Sequence, residues 1–264
     1  RARAPHSREK MRRLLLASLL PSSVSAFSTL RSNAPQPCSL PRRLGNFFST
    51  MLEESRIDYS TLKGRPRSLG FEAGSWAMKG EVPVKSEDGY EVATFAGGCF
   101  WGTELHFQRL PGVVATCVGY TQGKPIGYGG VQPTYKEVCS GRTGHTEAVL
   151  VVFKPSEVSF ATLCEKLMST IDPTLLNQVG RDYGTQYRHG VYPHSPQQME
   201  VAKACVAQAQ AKLPAGKRCH TEVVEAQTFW PAEETHQQYL QKGGRLGNSQ
   251  SASKGCLDSV RCYG

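Results

Sequence analysis

Cys99 stands in the run Ala96-Gly97-Gly98-Cys99-Phe100-Trp101-Gly102, the stretch of this chain best suited to chemistry. The apolar segment 92–96 leads into two glycines, and residues 103–109 continue as a helix-forming segment. A strand that turns through Gly-Gly straight into a helix places Cys99 at the helix N-terminus. Unpaired backbone N–H groups and the positive end of the helix dipole favour a thiolate there. The thiolate is the form of cysteine that attacks electrophiles. The glycines leave room for a substrate, and Phe100 and Trp101 offer an apolar wall beside the sulfur. The competing reading of Cys99 is a small buried hydrophobe.

Three further clusters carry suitable groups. Glu147 follows Gly144-His145-Thr146 and opens the apolar run Ala148-Val149-Leu150-Val151-Val152-Phe153; Pro133-Thr134-Tyr135 precedes it. A carboxyl at the mouth of a buried strand is desolvated, which raises its pKa and lets it hold a proton near neutral pH. A solvated strand-end glutamate is the alternative. The segment Gly180-Arg181-Asp182-Tyr183-Gly184-Thr185-Gln186-Tyr187-Arg188 is dense in hydrogen-bonding groups and suits a site loop. A structural turn with an Asp182–Arg188 ion pair is the other reading. Cys256 and Cys262 lie in the C-terminal tail. A tail thiol can reach a sulfenic acid elsewhere and condense with it. A structural disulfide or half of a zinc site would use the same residues, but the chain has no CxxC pairs of the kind zinc sites commonly use.

These groups need a framework. Residues 91–96, 113–120, 147–153, 189–192 and 221–226 read as strands from their β-forming content. Residues 100–109, 158–170, 196–213 and 232–241 read as helices, with Pro196 at one start and Pro173 beyond another end. Residues 123–132 form a Gly- and Pro-punctuated loop, and residues 53–90 an irregular arm. This mixture suggests one α+β domain with helices packed on a mostly antiparallel sheet.

The 264 residues carry a net charge of +9. Residues 1–52 hold nine Lys/Arg against one acid, a net of +8, and the remainder holds 22 against 21. The globular part is near neutral, so charge gives no reason to invoke nucleic acid. Nine scattered cysteines do not form a disulfide-stapled pattern, and Cys117, Cys164 and Cys205 read as buried packing in a reducing compartment. Residues 11–26 have a charged start, a short apolar run and a small-residue exit, a signal-like pattern; residues 27–52 are acid-free and transit-like. The junction Val24-Ser25-Ala26-Phe27 is similar to the cleavage motif of bipartite plastid presequences in algae with complex plastids. Plastid is the expected address, with mitochondrion or, from Met51, cytosol as alternatives. No stable membrane association is expected.

Taken together, Gly97-Gly98-Cys99-Phe100-Trp101-Gly102, Gly119-Tyr120-Thr121, Pro133-Thr134-Tyr135, Glu137-Val138-Cys139-Ser140-Gly141, Gly144-His145-Thr146-Glu147-Ala148, Asp182-Tyr183-Gly184-Thr185-Gln186-Tyr187-Arg188 and His236-Gln237-Gln238-Tyr239-Leu240 resemble the type A peptide-methionine sulfoxide reductases. The resemblance runs from about residue 95 to the end of the chain, and the tail is similar to plant-type members. It implies an α+β two-layer sandwich with a ferredoxin-like plait and irregular terminal extensions: a catalytic domain over 91–242 and a flexible tail with recycling cysteines over 243–264. It implies reduction of methionine-(S)-sulfoxide, free or in proteins, to methionine. Cys99 would be the nucleophile, Glu147 the general acid, and Tyr135 and Tyr187 hydrogen-bond donors to the leaving oxygen. Asp182 would orient its loop and a water, and Phe100 and Trp101 would hold the S-methyl group. Cys256 or Cys262 would resolve the Cys99 sulfenic acid. Thioredoxin, or dithiothreitol in vitro, would then reduce the disulfide, with no metal or organic cofactor and a monomeric chain. Gly180-Arg181 stands where many members have Gly-Asn. Two rival readings remain: a cysteine hydrolase using Cys99 with His145 or His236, and a non-catalytic redox sensor.

Overall fold

The computed structural model describes residues 69–124 and 132–262. The presequence expected over 1–52, residues 53–68 of the arm, residues 125–131 of the loop and the last two residues lie outside that range. The framework runs α1 (Leu69–Lys79), β1 (Glu91–Gly97), α2 (Phe100–Gln108), β2 (Val113–Thr121), α3 (Tyr135–Cys139), β3 (Thr146–Phe153) and α4 (Phe160–Thr170). It continues through β4 (Gln178–Val179), β5 (Asp182–Tyr183), a 3₁₀ turn Thr185–Tyr187, β6 (His189–Tyr192), α5 (Pro196–Ala211), β7 (Glu222–Val223) and β8 (Trp230–Pro231).

The run Ala148 to Phe153 is apolar without alternation, which requires cover on both faces. It accordingly forms the middle of a six-stranded sheet ordered β7-β6-β1-β3-β2-β8, and every residue of β3 is buried. All pairings are antiparallel except β6 with β7. The unit β1-α2-β2 straddles β3, and β3-α4-β6 straddles β1; these two interleaved split βαβ units are the ferredoxin-like plait. Alternation decides the faces. Val149, Val151 and Phe153 join Phe95, Phe107, Phe160, Leu163 and Leu167 in the core under α2 and α4. Ala148, Leu150 and Val152 face Val92, Tyr192, Phe229 and Ala73 of α1. The Phe95 ring lies 4.8 Å from Phe107 and 5.7 Å from Phe160, joining both helices to β1. Burying each such ring contributes roughly 1.5–3 kcal/mol.

The register positions the site. Phe95 pairs with Val149, so the end of β1 comes level with Glu147, and Tyr120 of β2 pairs with Glu147 from the other side.

Three segments differ from expectation. Residues 69–79 are helix α1 rather than irregular arm. Leu69, Ala73, Trp76 and Ala77 recur at helical spacing and pack against the core. That burial outweighs the roughly 1 kcal/mol that each of Gly70 and Gly74 costs a helix. Residues 232–241 form successive tight turns, not a helix. His236 N–H donates to Glu233 O, Gln238 has φ of 54°, and the Gln237 side chain is spent on the backbone N–H and C=O of Val118. The strand expected over 221–226 shrinks to Glu222–Val223.

The C-terminal tail is irregular but tethered. The Arg109 side chain is buried and donates to Ser251 O at 2.8 Å and Asp258 O at 2.5 Å. Lys254 Nζ donates to Gln108 O and Val113 O, both at 2.7 Å. These bonds carry the tail across the C-terminal end of α2 toward its N-terminus.

Candidate active site

Cys99 is the N-cap of α2, with extended backbone (φ −63°, ψ 120°), as the strand-Gly-Gly-helix pattern predicts. Each flanking glycine has a steric reason. A Cβ on Gly97 would lie 2.6 Å from Thr103 Oγ1, and one on Gly98, whose φ is 85°, would lie 2.5 Å from Val179 Cβ. Gly102 sits on the first turn of α2 facing the tail. A Cβ there would lie 2.6 Å from Cys262 Sγ.

Cys262 is thus the tail cysteine that arrives at the site, close enough for its thiol and that of Cys99 to bear on each other's ionisation. This changes the electrostatic expectation. The Cys262 thiol, then burial and the Glu147 charge, push Cys99 well above the ordinary thiol range; only the Trp101 N–H, the helix N-terminus itself, pulls it down. Cys262 is drawn down by the Cys99 thiol. With the tail in place, the environment of Cys99 therefore favours the thiol, against the helix N-terminus that favours the thiolate. Cys256 is half-buried, and its N–H donates to Ser253 O at 3.1 Å.

Glu147 is 2% exposed, and its Oε2 accepts the Phe100 N–H at 3.1 Å. One of the orphan amides at the start of α2 therefore holds this carboxyl beside Cys99. Phe100 and Trp101 form the aromatic wall. The Trp101 ring stacks on Tyr239 at 4.0 Å, and its Nε1–H donates to His236 Nδ1 at 3.3 Å. Tyr135 stacks with Phe100 at 6.4 Å and lies 4.5 Å from the His236 ring. Tyr187 is buried in its 3₁₀ turn, which is held to β3 beside Glu147 by Thr146 Oγ1 donating to Gln186 O at 3.1 Å. Asp182 lies close enough to Cys262 for its charge to bear on that thiol, and desolvation raises its own pKa. The loop's Arg188 pairs with Glu222 at 2.9 Å rather than with Asp182.

Some site residues had no single-residue signal. Glu233 accepts the Tyr120 hydroxyl at 2.7 Å and the Tyr135 N–H at 2.9 Å, so it fixes the wall's far side. Glu104, pushed up to about 7 by burial, accepts from Thr116 and from Gln238 N–H, tying α2 to the turn segment. Tyr239 and His236 stood in the motif 236–240 without assigned roles in the wall. His145 is buried, packs on Gly123, and is drawn down to about 4 by burial. Among the described contacts neither His145 nor His236 meets the Cys99 sulfur.

A paired-thiol site beside a buried carboxyl, on a split βαβ sheet, defines a thiol oxidoreductase. Residues 91–260 match the family model of peptide methionine sulfoxide reductase. A protein of Arabidopsis thaliana named peptide methionine sulfoxide reductase A4, chloroplastic, is 40% identical over 240 residues, covering 90% of this chain and 89% of its own. A peptide methionine sulfoxide reductase of Lactuca sativa is 48% identical over 244 residues, covering 92% and 85%. The solved methionine sulfoxide reductase A of Corynebacterium diphtheriae is 41% identical with a TM-score of 0.55, covering 60% of this chain and 76% of that one. The chain belongs to the type A peptide methionine sulfoxide reductase family, enzymes that reduce methionine sulfoxide to methionine.

Proposed function

We propose that this chain reduces methionine-(S)-sulfoxide, free and in proteins, through a Cys99 sulfenic acid and a Cys99–Cys262 disulfide that thioredoxin recycles. The observation that carries this reading is Cys262 Sγ lying against Gly102 on the first turn of α2, the helix that Cys99 caps, beside the buried Glu147.

The substrate S-methyl group rests on Phe100 and Trp101. As the sulfoxide enters, Cys262 moves aside; this removes the largest cause that keeps Cys99 protonated, while the Trp101 N–H remains to favour the thiolate. Cys99 Sγ attacks the sulfoxide sulfur. Glu147 takes the proton that Cys99 loses and gives it to the oxygen as its charge builds, and the Tyr135 and Tyr187 hydroxyls donate to that oxygen. Methionine departs and Cys99 keeps the oxygen as a sulfenic acid. Cys262 then attacks Cys99 Sγ, the oxygen leaves as water, and a disulfide remains. The proton which that thiol loses goes to the leaving oxygen, and Asp182 lies beside Cys262 to pass it on. The net change is sulfoxide plus two thiols giving thioether, disulfide and water, so the electrons balance without a metal or organic cofactor. A dithiol partner restores the pair, with Cys256 as the adjacent recycling thiol.

The bipartite leader pattern read over 1–52 and the chloroplastic relative support a plastid address. Assay of the two resolved sulfoxide epimers with thioredoxin tests the whole reading. The S epimer should be consumed and the R epimer left; turnover of R alone, or of neither, would overturn it.

A further inference from the structure

Each helix of the α4–α5 pair carries one cysteine on its core-facing stripe. In α4 the buried residues are Phe160, Leu163, Cys164 and Leu167, at i, i+3, i+4 and i+7. In α5, Gln198 and Ala202 are buried, and Val201 and Cys205 pack against the same core. Each cysteine alone reads as packing. But α4 and α5 pack on each other, Cys164 lies in the core cluster against which Cys205 packs, and each thiol is close enough to bear on the other's ionisation. Cys164 is fully buried and Cys205 is half-buried, so Cys205 is the more accessible residue of the pair. Neither residue belongs to the site around Cys99.

We propose that Cys164 and Cys205 form a second redox site, a dithiol that a hydroperoxide oxidises to a disulfide joining α4 to α5. Cys205 Sγ attacks the peroxide O–O bond, takes one oxygen as a sulfenic acid, and water or alcohol leaves. Cys164 Sγ then attacks Cys205 Sγ and the second oxygen leaves as water. One hydroperoxide is reduced and two thiols become one disulfide.

The electrostatics suit these roles. The Cys205 thiol and burial push Cys164 up, and the Cys164 thiol draws Cys205 down, helped by Lys212 and opposed by burial and Glu165. Cys205 is therefore the attacking sulfur and Cys164 the resolving one. The link also bears on the framework of the active site. A Cβ on Gly97, at the strand end that leads to Cys99, would lie 3.1 Å from Leu167 Cδ1, so α4 abuts that end. Joining α4 to α5 closes a long loop and restrains the unfolded chain. The fold is thereby braced under the oxidant class that also makes methionine sulfoxide.

The test treats the full chain and its Cys99→Ser variant with hydrogen peroxide, alkylates the remaining thiols and maps them by peptide mass spectrometry. The expected result in both is a Cys164–Cys205 cross-link two hydrogens lighter than the dithiol, reversed by dithiothreitol, with a higher melting temperature than the reduced protein. Cys205→Ser should leave Cys164 unlinked and sulfoxide reduction unchanged. Cys164→Ser should leave Cys205 as a sulfenic acid trapped by dimedone. Should Cys164→Ser fail to fold, the wild-type map and Cys205→Ser decide alone. Full alkylation of both residues at peroxide levels that consume Cys99 in the wild type would overturn the proposal. So would Cys205 sulfinic acid beside a free Cys164 thiol.

Discussion

Cys262 Sγ lies against the face of Gly102, on the first turn of the helix that Cys99 caps, where an added Cβ would lie 2.6 Å from the Cys262 sulfur. This placement explains why the helix N-terminus alone does not set the state of Cys99. The helix start offers the Trp101 N–H, and the partner thiol, burial and Glu147 oppose it.

Cys262→Ala removes the largest cause that raises Cys99. With a lower pKa, Cys99 forms thiolate at lower pH, so the midpoint of its alkylation by iodoacetamide should move down. A midpoint lower by one pH unit means about tenfold more thiolate at a pH below both midpoints. Mass spectrometry of Cys99 alkylation across pH measures it; an unchanged profile would show that Cys262 does not govern Cys99. The same variant should yield one methionine per chain and then stop with thioredoxin.

Glu147→Gln keeps an oxygen to accept the Phe100 N–H, so the fold should survive. An amide gives no proton, and the loss of general acid catalysis should slow sulfoxide cleavage roughly 10²–10⁴-fold. Single-turnover release of methionine reads this directly; a wild-type rate would reject the acid role.

Gly102→Ala separates the two half-reactions. Alanine favours a helix by about 1 kcal/mol over glycine, so α2 itself should not suffer. The new methyl occupies the place of Cys262 Sγ. Methionine formation in the first turnover should be near normal, while closure of the disulfide slows and dimedone traps more sulfenic acid. Equal rates for both steps in variant and wild type would contradict this.

Arg109→Met cuts the tether at Ser251 O and Asp258 O while keeping an apolar stem. Bonds to a charged donor contribute about 1.5–3 kcal/mol each. The tail should become more sensitive to protease, and thioredoxin-coupled turnover should fall more than the first turnover. A tail as resistant as before would show that the tether does not hold it.

The sequence reached the parts of the site that have local signatures. Cys99 was legible because a strand, two glycines and a helix adjoin it, and Glu147 because it opens an apolar run. That β1, β2 and β3 are strands followed from their β-forming content, whereas their order and faces are set by pairing across the sheet. Other features depended on distant contacts. Gly70 and Gly74 hid α1, whose formation rests on packing. Residues 232–241 have helical composition, but the Gln237 side chain captures backbone of β2 and bends them into turns. Glu233, His236 and Tyr239 were therefore not placed around Trp101. Cys262 could not be told from Cys256, because the path of the tail is set by Arg109 and Lys254 reaching backbone carbonyls, which carry no sequence pattern.

The central claim is that Cys99 takes the sulfoxide oxygen and Cys262 resolves it. Reduced protein mixed with one equivalent of a methionine-(S)-sulfoxide peptide, without external reductant, acid-quenched and mapped by mass spectrometry, tests it most directly. One methionine per chain with a Cys99–Cys262 disulfide is expected. Methionine formed while Cys99 stays alkylatable, or a disulfide joining Cys99 to a cysteine other than Cys262, would contradict the account.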